Sequence, residues 1–328
     1  MDDKKLVSVV FSFRNEQEVL PELVRRLQTV FKPLPYRYEL IFVNDSSSDN
    51  SLKVLQEERS RDPSIRILNT SRRFGVTPCV LAGLRHAKGD AAIYMDCDLQ
   101  DPPELIPTLL EKWREGADIV HTTRTRRKGE HAFKMWLTKK AYGIINFISD
   151  IEIPPESGDF KLISRRALDE ILKLNEFDPF MRGLVAWVGF KQVQVLYERE
   201  ARFAGETKFS LWRSMNPYKE FIRGLTRFSD LPLYFGLLLG LLVSFASFIY
   251  LLVLLVKAAT GVDLPAWSGV LVILLLLGAM ILFTMGVLGI YIGIIHKEVK
   301  NRPHYIIESA TGIEDGAGGE PRMPSRRT

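Results

Sequence analysis

Two long stretches without a formal charge constrain this chain more than anything else in it. Leu231 to Val256 and Leu264 to Ile295 contain no Asp, Glu, Lys or Arg. As a helix rising 1.5 Å per residue, the first would run roughly 39 Å, enough to cross a hydrocarbon core of roughly 30 Å with some tilt. The second is longer than a crossing needs, so its start around Pro265 and Trp267 is expected in the interface. Two buried helices of a soluble core are the competing reading, but adjacent uncharged runs of this length seldom occur there. A transmembrane hairpin over residues 231–295 is the expectation.

The flanks of the hairpin orient it. Arg213, Lys219, Arg223 and Arg227 precede the first run and Lys297, Lys300 and Arg302 follow the second, whereas the connecting turn offers only Lys257 and Asp263. Positive-inside bias then puts both termini on the cytoplasmic side, as expected for an integral protein of the cytoplasmic (inner) membrane. Met1 leads into Asp2, Asp3, Lys4 and Lys5 and an apolar run of strand length, which does not read as a secretory signal. Gly236-x-x-x-Gly240 and Gly289-x-x-x-Gly293 would allow helices to approach closely, or are simply ordinary membrane-helix glycines. Between residues 208 and 230, Phe209, Trp212, Met215, Tyr218, Phe221, Ile222, Leu225 and Phe228 alternate with basic residues. That pattern reads as amphipathic juxtamembrane helices, with a core-packed linker as the alternative. Residues 296–328 read as a cytoplasmic tail whose polar, Gly-rich end from about Gly312 is expected to be disordered.

The remaining two thirds are of a different character. Across the 328 residues, 44 Lys and Arg face 39 Asp and Glu, a net charge of +5 that suits a membrane surface or an anionic substrate and does not single out nucleic acid. The two cysteines, Cys79 and Cys97, have neither C-x-x-C nor His spacing, which argues against a disulfide scaffold and a thiolate zinc site. Short apolar runs at Leu6–Phe13, Glu39–Val43, Ile65–Asn69, Ala91–Met95 and Asp118–Thr122 are each followed by a helical stretch. This is the pattern of a mainly parallel sheet covered on both faces, whose ligand lies at the carboxyl ends of the strands. Helix starts are expected at Asn15, at Ser48 or Asp49, and at Asp101 with Pro102 and Pro103.

Two strand ends carry candidate chemistry. After the second comes Asn44-Asp45-Ser46-Ser47-Ser48-Asp49, where a carboxylate and hydroxyls can receive a nucleobase or ribose, or merely cap a helix. After the fourth comes Asp96-Cys97-Asp98-Leu99-Gln100-Asp101. Alternate residues of an extended segment face the same way, so Asp96 and Asp98 can hold one hard divalent cation whose shell a diphosphate completes.

The strings VSVVFSFRNE, VNDSSSDNS, SRRFG with LAGLRHAKGD, MDCDLQDPPE, SGDFKLISRRA and REARFAGETKFS, followed by two apolar segments, resemble the polyprenyl-phosphate glycosyltransferases. These are family 2 enzymes of GT-A (Rossmann-like) fold, a group that includes dolichyl-phosphate mannose synthase. The likeness runs in order from the first strand to about Ile307. It implies a GT-A domain over residues 1–207 and a set of roles. Asp45 would contact the nucleotide base, with Asn44 in place of a frequent Asp and Ser46 in place of a frequent Gly. Asp96 and Asp98 would bind the metal and sugar diphosphate, with Gln100 near the same Mg2+ or Mn2+. Arg124, Arg127, Lys134 and Thr138 would surround the acceptor phosphate, Lys134 standing where Arg is frequent. Asp159 would lie on the acceptor side, and Arg202, with Lys208 nearby, would close on the diphosphate.

The chemistry implied is inverting transfer of one sugar from a nucleotide-sugar donor to a polyprenyl phosphate. A phosphate monoester is largely dianionic at neutral pH, so a strong general base is dispensable and Asp159 is expected to orient more than to remove a proton. The same resemblance implies a homo-oligomer, a tetramer being one option. Two rivals are a processive polysaccharide synthase, for which the chain lacks a Gln-x-x-Arg-Trp motif, and a nonenzymatic membrane scaffold or lipid-binding protein that retains the fold.

Overall fold

The computed structural model describes residues 4–126, residues 157–198 apart from 175 and 178, isolated positions between 242 and 256, and residues 266–313. The chain divides into two compact units. The first comprises residues 1–142, 151–215 and 303–328, and the second residues 143–150 and 216–302.

The first unit is built on one sheet. Its strands are β1 (Leu6–Phe13), β2 (Arg37–Asn44), β3 (Ile65–Thr70), β4 (Ala91–Asp96), β5 (Ile119–Arg126), β6 (Ser157–Ser164), β7 (Gln192–Glu198) and β8 (Ile307–Thr311), in the spatial order β7-β5-β6-β4-β1-β2-β3-β8. β1 pairs in parallel with β2 and β4, β2 with β3, and β5 with β7. β6 lies antiparallel between β4 and β5, and β8 antiparallel on β3. All five strands expected from apolar runs are present. Three strands are additions: β6 and β7, which no expected run covered, and β8, because the stretch after the second apolar run read as a tail, whereas Ile307–Thr311 covers the sheet edge at β3. An edge strand of five residues carries too weak a periodic signal to stand out in sequence.

Helices cover both faces. α1 (Leu20–Phe31), α2 (Ser51–Arg61) and α4 (Ile106–Arg114) pack with Phe11, Phe42, Ile67 and Ile93 on one side. α3 (Val76–His86), α5 (Arg165–Lys173) and α6 (Met181–Trp187) pack with Val10, Val43, Tyr94 and Ile163 on the other. Successive strand residues alternate between these two clusters, as the two-residue pleat requires. The helix starts differ from expectation: α1 begins at Leu20 and α2 at Ser51, with no side-chain cap. Asn15 instead takes a positive φ of 55° and bridges to the loop after β2, and Asp101 is fully buried, accepting a hydrogen bond from the Tyr197 hydroxyl. At these two positions the polar side chain binds a distant element, whereas Ser164 at the end of β6 does cap α5, accepting from the Ala167 N–H.

The contact between α3 and β1 admits no extra atom. A Cβ at Gly83 would sit 2.3 Å from Val10 Cγ1 and 3.2 Å from Val43 Cγ2. Gly83→Ala would gain about 1 kcal/mol of helix propensity, but overpacking a dense core costs about 1–3 kcal/mol and the backbone shift adds to it. Net destabilisation of about 1–2 kcal/mol is expected, read as a lower unfolding midpoint; an unchanged or higher midpoint would show that this contact is loose.

In the second unit the described element is α7 (Ala266–Val299), 34 residues long. Counted over the described residues alone, no helix is long and apolar enough to cross a membrane. Taken through its whole sequence, α7 has no Asp, Glu, Lys or Arg before Lys297, and Trp267, Leu274, Ile281, Met285 and Ile292 are exposed along it. The first apolar run lies outside the described residues apart from isolated helical positions. So do the juxtamembrane stretch 208–230 and the tail beyond residue 313.

Candidate active site

The topology places the site. β1 has β2 on one side and β4 on the other, so the chain reverses its direction of winding there and a crevice opens at the carboxyl ends of these strands. Asp45 follows β2 and Asp96 ends β4, with β1 between them. Two strand spacings separate these ends by roughly 10 Å, a span on the scale of a nucleoside diphosphate.

Around Asp96 exposure alternates, although residues 97–100 are bent and not extended. Asp96, Asp98 and Gln100 are partly exposed, whereas Cys97, Leu99 and Asp101 between them are buried. Leu99 adopts φ 56°, and Asp98 Oδ1 accepts a hydrogen bond from the Gln100 backbone N–H at 3.2 Å, which turns the segment after Asp98. No group of three or more His, Cys, Asp or Glu that could enclose a metal ion occurs among the described residues. Two carboxylates on an open side suit a cation of the Mg2+ type, which keeps waters and binds substrate phosphates beside one or two carboxylates. A closed structural metal centre would need more ligands.

Asp159 stands on the neighbouring strand. The register of β4 with β6 runs from Ala91 opposite Ser164 to Tyr94 opposite Lys161. Asp96 and Asp159 each lie two residues past that last pair, at the same end of the two strands. Because β6 runs antiparallel, its start lies where its neighbour β4 ends, so Asp159 joins the same edge. Its carboxylate accepts two hydrogen bonds from Arg182, on α6, at 2.9 Å (Nε) and 2.7 Å (Nη2). The side-on fork of a guanidinium fixes such a carboxylate in direction as well as in charge. Asp159, Arg182 and Asp96 all act on the buried Tyr94 phenol, whose pKa is raised by burial first and then by the charge of Asp159.

Behind this pair Lys161 is fully buried, donating to the Gly158 carbonyl at 2.9 Å. Beside it His121 makes a 2.7 Å hydrogen bond from Nε2 to Gln192 Oε1. Burial, and then the charge of Lys161, pushes the His121 imidazole down to about 4. The fold therefore holds this ring neutral while the unfolded chain protonates near 6.5, so stability is complete above pH 6.5 and falls as pH drops from there toward 4. A loss of about 2 kcal/mol between pH 7.5 and pH 5 is expected from this group. Chemical denaturation of wild type and His121→Gln at the two pH values checks it, and equal slopes in both proteins would remove His121 as the cause.

Asp45 is buried, and its carboxylate is already engaged. Oδ1 accepts from the Phe74 N–H at 2.6 Å and the Gly75 N–H at 3.2 Å, and Oδ2 from the Gly75 N–H at 3.1 Å. Gly75 has φ +100°, which a side chain would strain, so a glycine is needed where the backbone turns both N–H groups onto one carboxylate. Asp45 thus fastens the loop after β3 to the end of β2. Ser46 has φ 55°, the region glycine occupies freely, which gives a reason for Gly at that place in similar sequences.

The structure thus gathers Asp96, Asp98, Gln100 and Asp159 at one edge, with Asp45 two strands away. Arg124 lies on β5, in the strand next to β6, while its side chain is outside the described set. Arg127, Lys134, Thr138 and Arg202 lie outside the described residues, as does Lys208. Sequence reasoning missed Arg182, Lys161 and Asn15. Arg182 follows a run of apolar residues in Phe180-Met181-Arg182 and no motif marks it, whereas Lys161 lay within the quoted string SGDFKLIS and its burial was the missing fact.

Comparison with known proteins gives these residues a family. Residues 8–172 match the model of glycosyl transferase family 2. The chain is 43% identical to the uncharacterised glycosyltransferase YkcC of Bacillus subtilis over 309 residues, covering 94% of this chain and 95% of that one. It is 42% identical to the uncharacterised glycosyltransferase sll0501 of Synechocystis over 94% of this chain and 96% of the relative. It is 38% identical to the SfII prophage-derived bactoprenol glucosyl transferase of Shigella flexneri over 93% of this chain and 98% of that protein. Likeness of this extent, carried by the strands that hold the acidic edge, identifies the chain as a member of glycosyl transferase family 2, and the protein as a glycosyltransferase.

Proposed function

We propose that this enzyme transfers a single sugar from a nucleotide donor, a UDP-sugar such as UDP-glucose, to undecaprenyl phosphate or a related polyprenyl phosphate, with inversion at the anomeric carbon. The observation that carries the reading is the acidic edge, where Asp96 and Asp98 open to one side next to a carboxylate clamped by Arg182. Near full-length likeness to a bactoprenol glucosyl transferase supports the acceptor class.

In the proposed reaction an oxygen of the acceptor phosphate bonds to the anomeric carbon as the bond to the diphosphate oxygen breaks. The nucleoside diphosphate leaves with its electron pair. Asp96 and Asp98, with Gln100 beside them, would hold Mg2+ or Mn2+, which supplies positive charge to the departing diphosphate. Asp45 would receive the base and Arg202 would add charge at the diphosphate. Arg124, Arg127, Lys134 and Thr138 would offset repulsion between two anionic substrates. The acceptor arrives already ionised, so Asp159 has no proton to remove and directs the acceptor phosphate.

A very long isoprenoid stays in its bilayer, so the enzyme must meet the phosphate at the surface. The exposed apolar length of α7 supports membrane burial of the second run, and the basic flanks of a hairpin over 231–295 would put the catalytic unit on the cytoplasmic side. The spacing Gly289-x-x-x-Gly293 on α7 would allow close helix approach in a homo-oligomer. The test is turnover of a panel of UDP- and GDP-sugars with polyprenyl phosphate in detergent, with and without Mg2+ or Mn2+, detecting lipid-linked sugar by mass. Metal-dependent transfer from one donor establishes the reaction. No transfer and no metal-dependent nucleotide binding would return the protein to the scaffold reading.

A further inference from the structure

We infer that Ser309, on the strand that follows α7, is a positioning residue of the donor site. The inference rests on the proposed role of the loop after β2 in receiving the nucleobase. That loop contains a strained residue, Ser46 at φ 55°, a conformation that costs a side-chain-bearing residue about 1 kcal/mol or more. It is held from below by a line of side-chain amides. Asn44 Oδ1 accepts from the Ser47 backbone N–H at 2.9 Å. Asn44 Nδ2 donates to Asn69 Oδ1 at 3.1 Å, and Asn69 Nδ2 donates to Ser309 Oγ at 2.9 Å. Asn44 and Asn69 are both buried.

The polarity of this line is not arbitrary. A backbone N–H can only donate, so Asn44 must turn its oxygen to Ser47 and its amide nitrogen to Asn69. Asn69 then presents its oxygen to Asn44 and its nitrogen outward, where β8 supplies the acceptor. Without Ser309 Oγ a buried amide donor is left to find water at a sheet edge, and Asn69 is free to rotate away from Asn44. The Asn44 amide then loses its only described anchor outside its own loop, and the turn bearing Asp45 and Ser46 is less well set for a base. Asn15 holds the same loop from the other side, its Oδ1 accepting from the Ser48 N–H at 2.9 Å, so the loop is loosened and not unfolded.

The consequence is confined to the donor. In the full-length enzyme, Ser309→Ala and Asn69→Ala should each raise the donor KM and the inhibition constant for the free nucleoside diphosphate by about fivefold, equivalent to about 1 kcal/mol. kcat and the KM for polyprenyl phosphate should stay within twofold, and Ser309→Thr, which keeps the hydroxyl, should match wild type. Glu308→Ala, on the same strand but outside the line, serves as the control and should also match wild type. Adding Ser46→Gly to Ser309→Ala relieves the positive-φ strain and should recover most of the donor affinity. A donor KM unchanged in Ser309→Ala, or raised equally by Glu308→Ala, would overturn the inference while leaving the reaction intact. A wild-type enzyme that turns over no nucleotide sugar would overturn the functional reading itself, and the donor role of Ser309 with it.

Discussion

Asp98→Ala is expected to lower kcat for sugar transfer by about a thousandfold, about 4 kcal/mol of transition-state stabilisation. Asp96 and Asp98 are both partly exposed at the end of β4, Asp159 beside them is engaged by Arg182, and no larger acidic cluster surrounds them among the described residues. Removing one would leave the ion a single protein carboxylate and less negative charge to fix its position where the leaving diphosphate needs it. Asp98 also accepts from the Gln100 N–H, so Asp98→Asn, which retains an acceptor there but loses the charge, separates the two roles. If charge dominates, the asparagine variant is nearly as impaired as the alanine variant, and raising Mn2+ recovers part of the rate. Turnover of Asp98→Ala within tenfold of wild type at ordinary metal concentration would sink the assignment of this pair to the metal.

The second large effect concerns the pair that motif reading had only half found. Arg182→Ala and Asp159→Asn should each reduce kcat/KM by about a hundredfold, the usual scale when a reacting group is displaced by about an ångström. The effects should not multiply, because the two side chains act as one unit: the double variant should be little worse than the poorer single one. Arg182→Lys keeps the charge but cannot reproduce two parallel contacts at 2.9 and 2.7 Å, so it should recover only part of the activity. Steady-state kinetics with varied polyprenyl phosphate decides the matter. Multiplicative losses approaching ten-thousandfold would mean that Arg182 and Asp159 work independently, and the clamp would have no catalytic meaning.

How far each part could be read from sequence followed from the range of the forces involved. Val, Ile and Phe in β1 to β4 alternate between two hydrophobic clusters, and that alternation is written in residue order, so the strands and the acidic strand ends were visible at once. The spacing of Asp96 and Asp98 carried their shared exposure for the same reason. Asp45 was visible as a carboxylate at a strand end, but its two bonds to Phe74 and Gly75 span about 30 positions, and no local pattern announces them. The start expected at Asp101 with Pro102 and Pro103 was met, a helical turn beginning at Pro103, but Asn15 was misjudged, because a polar side chain before a helix looks the same whether it caps that helix or grips a distant loop.

Residue order alone therefore determined the parallel core, the acidic strand ends and the two uncharged runs that follow, since each depends on neighbours a few positions apart, whereas the switch point came only with the strand order. Tertiary structure decided which charges meet. Arg182 reaches Asp159 from 23 positions away, and Ser309 reaches Asn69 across 240. Such contacts exist only because antiparallel β6 starts where β4 ends and because β8 returns to close the sheet beside β3. Short-range periodicity specifies the elements, but a hydrogen bond between two side chains is specified by the position of both backbones, and that is settled only when the sheet is assembled.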